Sequence, residues 1–162
     1  MIPDIELDLQ VALSDEHDLF VPSEDMVSDW LAGALTKAGY DKANATISVR
    51  IVSEEEITKL NNKYRHINKS TNVLSFPYES LPDVDVNLLG DVVACASVIE
   101  AEAVQQSKSI EQHWAHIIIH GLLHLLGYDH IEEQQAEQME SLEIDILSNL
   151  GIPNPYGELN TP

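Results

Sequence analysis

The stretch from Ile117 to Leu126 is apolar on almost every face of a helix, yet histidines interrupt it at fixed spacing. Ile117, Ile118, Ile119, Leu122, Leu125 and Leu126 leave little of the circumference polar. That pattern predicts a helix from Glu111 to Leu126, more deeply buried than any other in the chain. His120 and His124 fall one turn apart on one face, with Cβ atoms roughly 6 Å apart, so their imidazoles can reach one ion. Gly127 can take the left-handed conformation that ends a helix. The chain can then turn back through Tyr128 and Asp129 and bring His130 to the same ion. Three neutral nitrogen ligands fill three corners of a tetrahedron and leave the fourth open. That is the layout of a catalytic zinc site, whereas a structural site is closed by four protein ligands.

Other readings of these histidines exist. Two at i, i+4 on an amphipathic helix are often plain core or surface groups. The third, beyond a glycine-terminated helix, favours one Zn²⁺ held by His120, His124 and His130. His113 lies about 16 Å from His124 along a helix, too far to share that ion. His116 can pair with His120 instead, but that choice strands His130, so both upstream histidines read as supporting or structural groups. The spacing equals that of the long zinc-protease motif H-E-x-x-H-x-x-G-x-x-H, in which the glutamate is the general base. Gly121 stands at that position. A peptidase is therefore disfavoured unless another carboxylate supplies the base. Asp129 either orients an imidazole through its second nitrogen or caps the turn.

Charge narrows the partners. The chain has 28 acids against 8 Lys and Arg, a net charge of −20, and phosphate backbones repel such a surface. The distribution is uneven. The first 29 residues hold nine acids and no Lys or Arg, and Glu132 to Asp145 hold six acids and no base. From Ile57 to Tyr78 there is no acid, while Lys59, Lys63, Arg65 and Lys69 supply half of the basic residues. This is either a solvated helix face followed by a basic loop or a local patch that steers a polyanion to one place. No apolar run is long enough to span a membrane, and the N-terminus has neither the basic nor the apolar region of a signal peptide. The single Cys95 cannot form an internal disulfide and reads as a buried, inert thiol. These features point to the cytoplasm.

Periodicity along the chain predicts the order β-α-β-α-β-β-α-α-α. Ile5, Leu7, Leu9 and Val11 alternate with polar residues, as in a half-buried strand. Ser23 can cap a helix that Gly39 ends. Thr46 to Val52 is β-branched, and Ser53 with Glu56 suggests a capping box for a helix through about Tyr64. Val73 to Tyr78 and Asp91 to Ala96 read as strands, then Val98 to Ser107, Glu111 to Leu126 and Glu132 to Leu150 as helices. The first two crossovers each carry a helix and suit parallel pairing, while the short link before the last strand suits an antiparallel neighbour or an edge. The expected fold is α+β: a mixed, mostly parallel four-stranded sheet packed with helices, with a zincin-like metal motif on the histidine helix against it. Residues 1–152 read as a single metallohydrolase domain and residues 153–162 as an irregular C-terminal tail.

Four blocks together resemble the YbeY family of bacterial endoribonucleases and rRNA maturation factors. One is His120 to His130 with Gly121 in place of glutamate. Another is Tyr64-Arg65 followed by Ser70-Thr71-Asn72-Val73-Leu74-Ser75-Phe76-Pro77. The others are Leu89-Gly90-Asp91-Val92-Val93-Ala94-Cys95 and His113-Trp114-Ala115-His116. The resemblance runs from about residue 45 to Tyr156. Asn72 departs from it, standing where the family often has aspartate. The resemblance implies a zinc-dependent, single-strand-specific endoribonuclease acting in 16S rRNA 3′-end maturation and ribosome quality control. It implies a catalytic role for Arg65 at the phosphate, and the charge pattern adds Lys63 and Lys69 as flanking substrate-binding residues, with the acid-free segment Ile57 to Tyr78 expected along the rim of the histidine cleft. The implied partners are precursor rRNA, the small ribosomal subunit and ribosomal proteins or assembly factors, without DNA or membrane. Two other readings stay open from the residues alone: a metallohydrolase on a peptide or amide, and a non-catalytic ribosome-assembly factor with a structural metal.

Overall fold

Alternation of polar and apolar side chains sets the first strand, β1 (Asp4–Ala12), with Ile5, Leu7 and Leu9 inward and Asp4, Glu6 and Asp8 in solvent. The computed structural model describes residues 2–14, 16–78, 87–129 and 131–156. The elements that follow are α1 (Glu24–Lys37), β2 (Asn44–Val52), α2 (Glu54–Arg65), β3 (Val73–Pro77) and β4 (Leu88–Cys95). Three helices end the order: α3 (Ala96–Gln105), α4 (Ile110–Leu125) and α5 (Glu133–Asn149). Ser23 caps α1 by accepting from the Met26 amide, and Ser53 caps α2 by accepting from the Glu56 amide. The reciprocal half of the expected capping box is not made by Glu56, whose carboxylate instead holds Arg50 by two hydrogen bonds of 2.7 and 3.2 Å. No helix among the described residues is long and apolar enough to cross a membrane.

The fold is α+β, with one mixed four-stranded sheet in the order β1-β2-β4-β3. β1 pairs with β2 and β2 with β4 in parallel, while β3 runs antiparallel to β4. The first helical crossover is thus parallel, as its length predicts. The second is not: the strand after α2 does not join β2, because β4 lies between them. The residues explain the exchange. Val92, Val93, Ala94 and Cys95 are buried in succession, which only a central strand covered on both faces can satisfy. β3 ends in Pro77, which has no amide proton for a ladder bond and belongs at an edge.

Alternate residues of the sheet serve two separate cores. Val92, Ala94 and the odd-numbered residues of β2 from Ala45 to Ile51 meet α1, α4 and α5 on one face. Val52, Leu74, Val93 and Cys95 meet Ile57 of α2 on the other. The histidine helix α4 and helix α2, which carries Lys59, Lys63 and Arg65, therefore cover opposite faces. α4 carries eleven buried residues, His113 and His116 among them, and is the most buried helix.

Gly121 sets how closely α4 lies on the sheet. A Cβ there would stand 2.9 Å from Val92 Cγ1, 3.2 Å from Val73 Cγ2 and 3.3 Å from Ser75 Oγ. Ser75 Oγ also donates to the Gly121 carbonyl at 2.8 Å, a bond that needs the same close approach. Gly121→Ala gains about 1 kcal/mol of helix propensity, but overpacking a tight core costs about 1–3 kcal/mol. Val92 is β-branched and fully buried, so its methyl cannot swing away. Urea unfolding should show Gly121→Ala destabilised by roughly 1 kcal/mol. Adding Val92→Ala should cost less than the sum of the two single changes. An alanine variant as stable as the parent would show that the helix shifts freely.

Candidate metal centre

One face of α4 carries His113, His116, His120 and His124 in a stripe. Their rings stack edge to face, with centroids 6.1, 6.3 and 4.7 Å apart in that order. His120 and His124 point their Nε2 atoms at one another across 3.2 Å. Two nitrogens each 2.0–2.1 Å from one tetrahedral ion are roughly 3.3 Å apart, so this pair fits two corners of a zinc site. The His120 side chain keeps 23 % of its surface, which leaves the pair accessible from outside. α4 stops where the motif requires. Gly127 takes φ +99°, and the Gly127 and Tyr128 amides bond the His124 and Leu123 carbonyls. His130, the expected third ligand, lies outside the described residues.

Behind His120 stands a carboxylate that the sequence reading did not single out. Glu143 of α5 is fully buried. Its Oε1 is 3.1 Å from His120 Nδ1, and its Oε2 is 2.6 Å from His116 Nε2 and 3.1 Å from the Tyr156 hydroxyl. Burial alone would raise the Glu143 pKa. Hydrogen bonds from His116 and His120, together with attraction to both imidazoles, outweigh it and bring the value down to about 2. Tyr156 is pushed well up by burial and by the Glu143 charge, which keeps its hydroxyl protonated. His116, His120 and Glu143 offer ligand atoms that all lie within 4.8 Å of one another, a group that could hold a metal ion. This group and the Nε2 pair share His120 but use its opposite nitrogens.

A second carboxylate arrangement lies one turn further up α4. His113 Nε2 is 2.9 Å from Glu102 Oε1, and Asn72 Nδ2 donates to both Glu102 oxygens at 3.2 and 3.3 Å. Burial would raise the Glu102 pKa, but these bonds lower it. Asn72 thus meets a carboxylate with an amide donor, which an ionised aspartate could not do without repulsion.

The other candidates from the sequence lie on α2, on the connection to β3 and in the turn after α4. Arg65 is the exposed last residue of α2, on the sheet face opposite α4. Lys63, also exposed, places Nζ 5.2 Å from the Tyr64 ring centre. Lys69 is exposed in the connection to β3, and its carbonyl accepts from the buried Asn61 amide at 3.0 Å. The acid-free segment does not form one continuous rim. Its helical part covers the far face, and its strand part, Val73 and Ser75, lies beneath Gly121. Asp129 is half-buried in the turn after α4, beside Gln135 and Gln138 in a shallow cleft. Glu143 and Glu102 are the carboxylates that meet imidazoles of α4 among the described pairs, and a signal for Glu143 existed. Met139, Ile146 and Leu147 make the buried stripe of α5, and Glu143 is an acid on that stripe.

Gly121 points into the sheet, so the position that holds a peptidase's general base offers no proton acceptor here. The chain is similar in fold to the solution structure of TM1509 from Thermotoga maritima, with a TM-score of 0.54 and 22 % identity over 91 % of each chain. The family model described as Endoribonuclease YbeY matches residues 13–151, a span that contains every element from α1 to α5 together with the histidine helix and its buried carboxylate. The chain belongs to the YbeY endoribonuclease family.

Proposed function

We propose that this protein is a zinc-dependent endoribonuclease that hydrolyses phosphodiesters in single-stranded RNA. In this reading it acts in the cytoplasm on precursor rRNA of the small ribosomal subunit. Its tasks are 16S 3′-end maturation and ribosome quality control, alongside ribosomal proteins or assembly factors. The observation that carries the reading is the facing Nε2 pair of His120 and His124 at 3.2 Å on a helix with no neighbouring peptidase base. His120, His124 and His130 would hold one Zn²⁺ as neutral ligands. The ion, when bound, supplies Lewis-acid chemistry: it offsets charge on a phosphoryl oxygen and makes water more acidic.

The chain's own residues supply the rest. Arg65 is assigned to the substrate phosphate, since a guanidinium holds two oxygens at once and stays charged at any working pH. It is exposed and forms no ion pair with an acid among the described residues, so its charge is available. It ends α2, where the chain starts its path from the far face towards edge strand β3, whose Val73 and Ser75 lie beneath Gly121. Lys63 and Lys69, on either side of Arg65 in sequence, are assigned to the RNA backbone. Their local charge offsets the repulsion of a protein with net charge −20.

Metal analysis and cleavage of a single-stranded RNA separate this reading from the others. His124→Ala should lose zinc and cleavage while remaining folded. A variant that unfolds with its metal would point to a structural site, and one that keeps cleavage would remove His124 from the mechanism. Arg65→Ala should retain zinc and lower cleavage roughly 100-fold; unchanged cleavage would end its assignment. Lys63→Ala or Lys69→Ala should weaken RNA binding modestly and make the slope of log affinity against log salt shallower by about one for each phosphate no longer neutralised.

A further inference from the structure

We infer that Glu143 is a positioning residue that holds His116 and His120 in opposite tautomers, with Tyr156 completing its hydrogen bonds, and thereby selects which histidines can bind metal. The inference rests on the reading of His120 and His124 as ligands through Nε2. An ionised carboxylate only accepts, so a ring nitrogen facing it must carry the proton. His120 faces Glu143 with Nδ1, at 3.1 Å. In the neutral ring the proton is therefore on Nδ1, and Nε2, the nitrogen that faces His124, carries the lone pair. His116 faces Glu143 with Nε2, at 2.6 Å. In the neutral ring its proton is on Nε2, and Nδ1 carries the lone pair.

A second observation agrees. His116 Nδ1 is buried and has no hydrogen-bond partner. A buried, unpaired N–H is the rarer and costlier condition, so that nitrogen is the one expected without a proton. His116 is then occupied at one nitrogen and buried at the other. The pairing of His116 with His120, which spacing alone allows, is closed, and the lone pair of His120 is directed to His124.

Glu143 cannot easily serve as a ligand itself. Both oxygens are engaged, Oε1 by His120 and Oε2 by His116 and the Tyr156 hydroxyl. An ion among His116, His120 and Glu143 would have to break those bonds around a carboxylate that water does not reach. Tyr156 follows Glu143 by thirteen residues and comes back to it from beyond α5. Its hydroxyl is 3.0 Å from His116 Nε2 as well, so it packs where the two polar groups meet. The segment beyond α5 therefore takes part in arranging the site.

The test begins with nitrogen NMR of the histidine rings in the metal-free full chain, which reads tautomers directly. His120 should be protonated at Nδ1 and His116 at Nε2. Zinc affinity is then measured by competition with a chromophoric chelator, with thermal unfolding as the check on folding. Glu143→Gln puts an amide NH₂ beside N–H and O–H donors and should weaken zinc binding about 10–100-fold. Tyr156→Phe removes one hydroxyl from the periphery and should weaken it several-fold with the fold intact. The same tautomer at both histidines, or wild-type affinity in both variants, would overturn the inference. So would a Glu143→Gln variant that loses zinc as completely as His124→Ala, since that would make Glu143 a ligand. Should Glu143→Gln fail to fold, the wild-type tautomers and Tyr156→Phe decide. Zinc affinity indifferent to His124→Ala would overturn the ligand assignment beneath, while the tautomers, read without metal, would still decide the role of Glu143.

Discussion

Where α4 crosses the sheet, the helix contributes no side chain of its own to the contact. Gly121 lies against Val92, Val73 and Ser75, and the Ser75 hydroxyl closes the gap by bonding the glycine's carbonyl. This contact sets the depth and the rotation of the helix. Once Gly121 faces the sheet, His120 and His124 both turn to one flank of that contact, about 100° and 60° round the helix in the same direction. The same rotation turns His116 and His120 towards α5. One packing decision thus fixes the open side of the site and the side from which it is supported.

The supporting side is electrostatic. A buried carboxylate is costly unless donors surround it, and Glu143 has three. Glu143 places its charge against the Nδ1 side of His120, while the Nε2 side faces His124. Glu102 repeats the arrangement one turn away with His113, where Asn72 adds two amide hydrogen bonds. Three of the four histidines on the α4 face thus meet one of two carboxylates. The basic residues that the sequence concentrates in one segment belong largely to the other side of the sheet.

Much of this was legible in the residues. The apolar circumference of α4, the glycine that ends it and the alternation of β1 each follow from a local pattern, and the structure has all three. Strand order was less legible, because it depends on which strand is buried on both faces. Pro77 and the run from Val92 to Cys95 contained that answer, but only when weighed against each other. Glu56 has the right spacing from Ser53 for half of a capping box. Arg50, six residues earlier in sequence, competes for the same carboxylate and wins it with two bonds. Gly121 draws notice in the sequence for the base it lacks, whereas its small size serves the sheet. Glu143 escapes a sequence reading since its partners lie 23 and 27 residues away on another helix. Long-range pairing of this kind leaves no periodic trace beyond one acid on an apolar stripe.

The two outer strands bear on how copies of this molecule meet. A sheet edge exposes unpaired amides and carbonyls that a second chain can add to. β3 is short and ends in proline, so it offers little to extend. β1 is nine residues long and would be the more hazardous edge, but it presents Asp4, Glu6 and Asp8 to solvent at every second position. Two such strands laid side by side would bring like charges onto one face, which is destabilising. The acidity concentrated near the start of the chain thus doubles as a guard against strand addition and the aggregation that follows from it.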